Sequence, residues 1–460
     1  MTTAAPDREL LRMAAEAATT KAAAAANGCE RPVRLKGSKS LVNVKTGELT
    51  TLYSSDQELD GTTYVRCGNR REAECESCSH EYKGDAWHLL VAGLSGGKGI
   101  PAEVASRPAT FLTLTAPSFG PVHGLRENAP CRPRRDHPRC RHGRALWCNR
   151  RHFPGDPMNG EPLCRDCYDY VAHVLWQWHV PELWRRFIIR LQRLLAAAAG
   201  IAATDFKKYA KVSYSKVAEF QIRGVVHFHV PMRLDGPLGP DGPACELPIS
   251  AEVLEHVAKA AAEEVWVDSE PLRDGTVVRL RWGKQVDLRT ISSEHSRDAD
   301  RSSHGTHPEQ VASYLAKYLT KATAEFGLPT RVRSAIHARS CGASPQAAKI
   351  VETCQRIARE GGPYERLAMY YATLGYRGHP ITKSRAYSVT FGQLRRARRV
   401  FRRASHVDPN ADVRDLPDDE VPEGFELVSS WLYVGRGYLE LDQAARAVES
   451  AIRSRSRGHD

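Results

Sequence analysis

The 460-residue chain has no run approaching the roughly 18 consecutive apolar residues that a membrane-spanning helix needs. Its Ala-rich beginning has neither the leading charges nor the apolar core of a secretory signal, so the protein is expected in the cytoplasm. A G-x-x-x-x-G-K-[ST] phosphate loop is missing, which removes ATP chemistry of that type, and no internal repeat points to a solenoid. Acidic residues are outnumbered, 54 Asp and Glu against 66 Lys and Arg, for a formal net charge of +12. That balance favours a polyanionic partner, although charge alone speaks only to association and solubility.

What the chain does have is cysteine. In a large cytoplasmic chain, twelve cysteines point to metal rather than disulfides. Nine precede residue 170, whereas Cys245, Cys341 and Cys354 are scattered. Cys75-x-x-Cys78 has the spacing of a zinc knuckle, with Cys67 as third ligand and Cys29 as the best fourth, His80 being the alternative. Cys164-x-x-Cys167 pairs naturally with Cys140 and Cys148 as a four-cysteine site, in which Cys131 or His142 can replace one member. The expectation is about two structural Zn²⁺ ions. Arg132, Arg134, Arg135, Arg139, Arg141, Arg144, Arg150 and Arg151 surround the second group. They suit a grip on a phosphate backbone, or else form a solvated charged surface.

The stretch around which the chain is organised is 216–235, KVAEFQIRGVVHFHVPMRLD. Residues 225–232 are rich in β-branched and apolar side chains, and His227 and His229 lie two apart, so on a strand both imidazoles leave the same face. Residues 217–222 can pair with this strand as a hairpin. A three-residue loop of Arg223, Gly224 and Val225, with Gly224 left-handed, sets Gln221 opposite His227 and Glu219 opposite His229. Glu219, His227 and His229 then share a face as metal ligands. A two-residue loop would turn Glu219 to the other face, and the sequence leaves both registers open. Further on, VASYLAKYLTK at 311–321 sets Tyr314, Tyr318 and Lys321 on one helix face above an apolar stripe.

HFH followed by YLAKYLTK resembles the HUH endonuclease superfamily, in which two histidines hold a divalent cation and a helix tyrosine attacks DNA. Y-x-x-x-Y-x-x-K is similar to the two-tyrosine rolling-circle initiators. The fuller likeness is to the RepSA-like replication initiators of actinobacterial plasmids and integrative elements. It covers most of the chain: TLTAPSFGPVH from Thr113, PLCRDCYDY from Pro162, RGVVHFH, and GYRGHPITKSRAYS from Gly375.

The resemblance implies an α+β fold. Its catalytic part is an HUH-type antiparallel sheet with flanking helices, in which the strand around 110–115 lies beside the histidine strand. It also implies Mg²⁺ or Mn²⁺ on His227, His229 and Glu219, with imidazole favouring Mn²⁺ somewhat. Tyr318 makes the first attack, leaving a 5′-phosphotyrosine and a free 3′-hydroxyl. Tyr314 serves a second cleavage, and Lys321 steadies the phenolate or the phosphate. The partners implied are single- and double-stranded origin DNA, a host helicase and replication proteins.

In chain order the expectations are an Ala-rich tail at 1–28, a zinc-binding region at 29–105, and an endonuclease domain at 106–330 interrupted by a cysteine-rich insertion at about 124–170. A mainly helical basic region at 331–407 and an acidic linker with a last helix at 408–460 complete the chain. Residues 168–199 read as a long helix with core tryptophans, broken or kinked at Pro181. LRRARRVFRR presents Arg395, Arg396, Arg398, Arg399, Arg402 and Arg403 for phosphate binding. The competing readings are a relaxase or transposase of the same superfamily, a metallohydrolase using the histidines and water, and a non-catalytic zinc-dependent DNA-binding regulator.

Overall fold

A computed structural model describes residues 26, 28–58, 60–292, 306–321, 326–403, 421–439, 445 and 449. The expected tail, the middle of the polar loop before the tyrosine helix, most of the acidic linker and nearly all of the last helix lie outside the described residues, as do the side chains of Arg402 and Arg403. The strands are β1 (Val33–Asn43), β2 (Leu49–Ser54), β3 (Thr63–Val65), β4 (Ala109–Leu114), β5 (Lys211–Phe220), β6 (Val226–Asp235), β7 (Trp266–Asp268), β8 (Arg279–Arg281), β9 (Val286–Thr290), β10 (Ile381–Lys383) and β11 (Phe425–Arg436). The helices are α1 (Glu76–Ser95), α2 (Tyr170–Ala198), α3 (Phe206–Tyr209), α4 (Ala251–Glu264), α5 (Pro308–Thr320), α6 (Ala335–Ser340), α7 (Pro345–Arg359) and α8 (Phe391–Arg403). They divide into two compact units, the larger of which is Ala86–Leu394.

In the smaller unit, β1 is flanked by β2 and β11, with β3 also paired to it. The Lys45-Thr46-Gly47 turn links β1 to β2, and Gly47 donates back to the Asn43 carbonyl. β11 corrects the expectation of only a linker and a helix beyond residue 408. It pairs antiparallel along the whole of β1, from Val33 opposite Arg436 to Asn43 opposite Phe425. The sequence FELVSSWLYV is rich in β-branched and aromatic residues, and this β signal was masked by the acidic, proline-bearing text before it.

The larger unit is built on a five-stranded antiparallel sheet in the order β10-β5-β6-β4-β9. β6 lies at its centre. Its even-numbered residues Val226, Phe228, Val230, Met232 and Leu234 are fully buried in one core with Trp176, Leu183 and Phe187 of α2 and Leu254 and Ala258 of α4. The pairing of β5 with β6 skips Ser215 and Lys216, beside Pro231, which has no N–H to give. The tryptophans of α2 are core residues, as expected. The break at Pro181 is not found: α2 runs unbroken over 29 residues. Proline removes one backbone bond, at a cost of about 3 kcal/mol, but Trp176, Val180, Leu183 and Phe187 bury on both sides of it in one core and offset that cost. Basic region 331–407 is not wholly helical, since β10 forms the edge of the sheet next to β5.

Candidate active site and metal centres

The β5–β6 turn decides whether the three expected ligands meet. It is a three-residue loop with Gly224 at φ +82°, but the loop residues are Ile222, Arg223 and Gly224, one position earlier than the sequence suggests. Gln221 donates to the Val225 carbonyl at 2.8 Å, and Glu219 lies opposite His227 rather than His229. The register therefore differs from expectation by two residues. Because a strand repeats every two residues, Glu219 keeps its face.

On that face Glu219 Oε2 lies 2.9 Å from His227 Nε2 and 2.8 Å from His229 Nε2. Both are ordinary lengths for hydrogen bonds between a carboxylate and an imidazole, and both converge on one carboxylate oxygen. One carboxylate and two imidazoles within this reach form a group that can hold a metal ion. Burial works against ionisation of Glu219, but the bonds from both histidines outweigh it and hold the carboxyl at about 2. Burial pushes the His229 pKa down against the pull of Glu219, favouring the neutral, ligating imidazole. On the neighbouring strand Thr113, directly opposite His229, places its hydroxyl 3.1 Å from the Nδ1 of that histidine.

α5 starts at Pro308, whose fixed φ suits a first helical position. It buries Val311, Ala312, Leu315, Ala316 and Leu319, and Trp87 Nε1 donates to Ser313 Oγ at 3.1 Å. The tyrosines remain over the ligand set. Tyr314 Oη lies 3.4 Å from His229 Nε2, and the Tyr318 ring centroid is 6.3 Å from that of His229. The two phenol rings meet edge to face at 4.8 Å. Burial, the hydrogen bond with Tyr318 and the Glu219 charge raise the Tyr314 pKa, while Arg289 opposes them. Lys321 caps the helix in an extended conformation with its ammonium 5.8 Å from the Tyr318 ring centroid.

Three further donor groups lie elsewhere. Cys29, Cys67, Cys75 and Cys78 converge as expected, without His80. Their Sγ separations of 3.6, 3.6 and 3.8 Å match the edge of about 3.8 Å for thiolates at about 2.3 Å from Zn²⁺. In the second group the His142 alternative is the one found: His142 takes the place of Cys148. Cys140, Cys164 and Cys167 are joined by His142, whereas Cys148 belongs with His123, Cys131 and His152. The reason lies in the backbone: Cys148 and Arg132 exchange hydrogen bonds of 2.8 and 2.9 Å, which carries Cys148 to Cys131 and away from Cys140. There are thus three cysteine-bearing groups among the described residues, not two. Each can hold a metal ion such as zinc.

The chain matches the family described as "Replication initiator protein, pSAM2" over residues 15–451. It is also 38% identical to a curated "Replication initiator protein" of Streptomyces ambofaciens over 411 residues, 88% of this chain and 84% of that protein. The chain belongs to the RepSA family of replication initiators. No solved structure matches it.

The arginines of this RepSA family member on α8 differ among themselves. Arg395 and Arg399 are exposed, Arg396 is half-buried, and Arg398 is held by Glu81 and Asp85. No helix among the described residues is long and apolar enough to cross a membrane. Sequence reasoning missed Thr113, His123 and His152. Thr113 was readable from the alternation of TFLTLT, and His152 from its position four residues after Cys148 beside a second basic pair; His123 lay inside a motif noted only for its likeness.

Proposed function

We propose that this replication initiator is a metal-dependent, site-specific single-strand DNA endonuclease and strand transferase that nicks an origin for rolling-circle replication. One observation supports the reading above others: Glu219, His227 and His229 converge on the face of the sheet that also meets Tyr314 and Tyr318. Bound there, Mg²⁺ or Mn²⁺ supplies Lewis-acid polarisation of the scissile phosphate. A tyrosine Oη forms a bond to phosphorus as the P–O3′ bond breaks, the phenol loses its proton, and the departing 3′-oxygen gains one. The products are a 5′-phosphotyrosine and a 3′-hydroxyl that primes synthesis. Keeping the bond energy in the phosphotyrosine permits rejoining without ATP.

Tyr318 is assigned the first attack, as the resemblance to two-tyrosine initiators implies, and Tyr314 the second transfer. Lys321, near the Tyr318 ring, steadies the phenolate or the phosphate. Arg395 and Arg399, exposed on α8, are assigned to backbone phosphates of the origin, together with Arg396, Arg402 and Arg403. Arg398, committed to Glu81 and Asp85, is the weakest member of that set. Strand separation is left to a host helicase, and the site of action to the cytoplasm.

The test is incubation of the protein with Mn²⁺ and single strands carrying the origin, followed by detection of a covalent adduct and peptide mapping. Tyr318→Phe removes most first-strand nicking, while Tyr314→Phe nicks but fails to recircularise the displaced strand. An adduct on Tyr314 alone reverses the roles, and an adduct on neither tyrosine rejects the mechanism.

A further inference from the structure

The segment between β4 and α2 carries eight Cys and His donors in two tetrads, His123/Cys131/Cys148/His152 and Cys140/His142/Cys164/Cys167. In chain order they come as two for the first, two for the second, two for the first and two for the second. The two halves of each tetrad are therefore separated along the chain by a donor pair of the other. The backbone follows this order. Cys131 donates to the Arg150 carbonyl at 2.9 Å, and Arg132 pairs with Cys148, joining the first and third donor pairs. The loop between them, closed by Cys140 N–H to the Arg144 carbonyl at 2.9 Å, carries Cys140 and His142. The last pair returns along a segment held by Leu163 N–H to the Pro121 carbonyl at 2.9 Å and His123 N–H to the Glu161 carbonyl at 2.8 Å.

Donor chemistry supports ions in both. In the first tetrad all four residues are buried. Asp156 Oδ2 accepts from His152 Nδ1 at 2.7 Å, and its other oxygen takes the Met158 N–H at 2.9 Å. That leaves His152 Nε2 as a lone-pair donor, 3.2 Å from His123 Nδ1 and 3.7 Å from Cys148 Sγ. A carboxylate behind a ligating histidine is the usual way such a ring is aimed. The separations agree with tetrahedral edges of about 3.3 Å for two imidazoles and about 3.5 Å for imidazole with thiolate. The Gly124 N–H donates to Cys131 Sγ at 3.2 Å, which favours the thiolate. In the second tetrad His142 Nδ1 lies 3.3 Å from Cys167 Sγ and 3.7 Å from Cys164 Sγ.

We propose that residues 121–168 form a cross-braced module holding two Zn²⁺ ions, one on two cysteines and two histidines and the other on three cysteines and one histidine. The two bind and leave as a unit because each closes the loop that presents the ligands of the other. With the Cys29 tetrad the full chain then holds about three Zn²⁺.

The test is zinc per chain in the purified full-length protein. Cys75→Ala, in the separate Cys29 group, loses one of the three ions, whereas His152→Ala and Cys167→Ala each lose two. A wild-type content of two or fewer, or the loss of a single ion in both His152→Ala and Cys167→Ala, overturns the proposal. Since either variant can fail to fold, the wild-type protein is also treated with a thiol-blocking reagent while a chelating dye records release. Two ions leaving in one phase, with Cys131, Cys140, Cys148, Cys164 and Cys167 modified together, support the module. Separate phases for the two tetrads reject it.

Discussion

The larger unit holds metal-type donors by two opposite means. Glu219, His227 and His229 sit on paired strands at the centre of a sheet whose other face is the main hydrophobic core. Residues 115–169 form no helix and no strand beyond isolated bridges, and their donors are gathered from loops. In the sheet, backbone pairing and burial place the ligands whether or not an ion is bound. In the insertion there is little apolar burial to do so, and in the two-zinc module proposed above metal ligation supplies the folding energy. The same residue types thus lead to different expectations: an ion on the sheet is for chemistry, and ions in the insertion are for structure.

The sharpest way to break that contrast is to remove each kind of ligation in turn. His227→Ala is expected to lower origin nicking by about a thousand-fold or more, a loss of several kcal/mol of charge stabilisation, with a melting temperature within a few degrees of the parent. Strong chelation is expected to do the reverse to the insertion: new proteolytic cuts within 121–168 but none in β5 or β6, by mass spectrometry of a timed digest. If His227→Ala melted as early as the chelated protein, the sheet ligands would be structural too.

Much of the candidate active-site face was legible in the sequence because it is periodic. A two-residue repeat places His227 with His229, a four-residue repeat places Tyr314 with Tyr318, and both survive small errors of register. The loop shift at Ile222–Gly224 shows why: moving a hairpin turn by one residue moves the pairing by two and leaves every side chain on its face. The second cysteine group was legible only as far as Cys140, Cys164, Cys167 and the His142 alternative, for the opposite reason. Its pairing depends on a backbone bridge between Arg132 and Cys148 that no local pattern announces, and C-x-x-C spacing names a pair of ligands but not their partners. β11 was missed because residues 425–436 find their partner, β1, almost four hundred positions earlier.

A second probe addresses the backing of the sheet. Asp235 is fully buried and accepts from Arg233 Nε at 2.7 Å and Arg107 Nη1 at 2.6 Å. Arg233 also reaches the carbonyl oxygens of Tyr387, Ala386 and Gly93, tying α1 and the segment after β10 to β6. Asp235→Ala leaves two guanidinium groups buried without their carboxylate and is expected to cost about 3–5 kcal/mol in denaturant unfolding. Zinc content should stay unchanged. Loss of zinc in this variant would mean that the sheet and the insertion do not stand independently.

A smaller effect is expected at the turn. Gly224 occupies the left-handed region, where a Cβ costs about 1–2 kcal/mol, and an added Cβ would approach Ile350 Cδ1 at 2.9 Å. Gly224→Ala should lower the unfolding free energy by that amount. If the ladder, rather than the turn, now holds the register, the Mn²⁺ dependence of nicking should not change.

The smallest expected effect is at Thr113, and it tests how far the sheet itself orients the ligands. Its hydroxyl is the described partner of His229 Nδ1, and groups of this kind behind a ligating histidine typically change metal affinity about 10- to 100-fold. Thr113→Val keeps the branched shape that suits a strand and removes only the hydroxyl. Phe111 still stacks on the His229 ring at 5.7 Å and Glu219 still meets its Nε2 at 2.8 Å, so the imidazole keeps other supports. The loss should therefore fall at the low end, about ten-fold in the Mn²⁺ concentration giving half-maximal nicking, with the rate at saturating Mn²⁺ nearly unchanged. A lowered rate at saturation with unchanged Mn²⁺ dependence would mean that Thr113 acts on the phosphate rather than through His229. Equal titrations for both proteins would mean that strand pairing, Glu219 and the Phe111 ring fix the imidazole without Thr113.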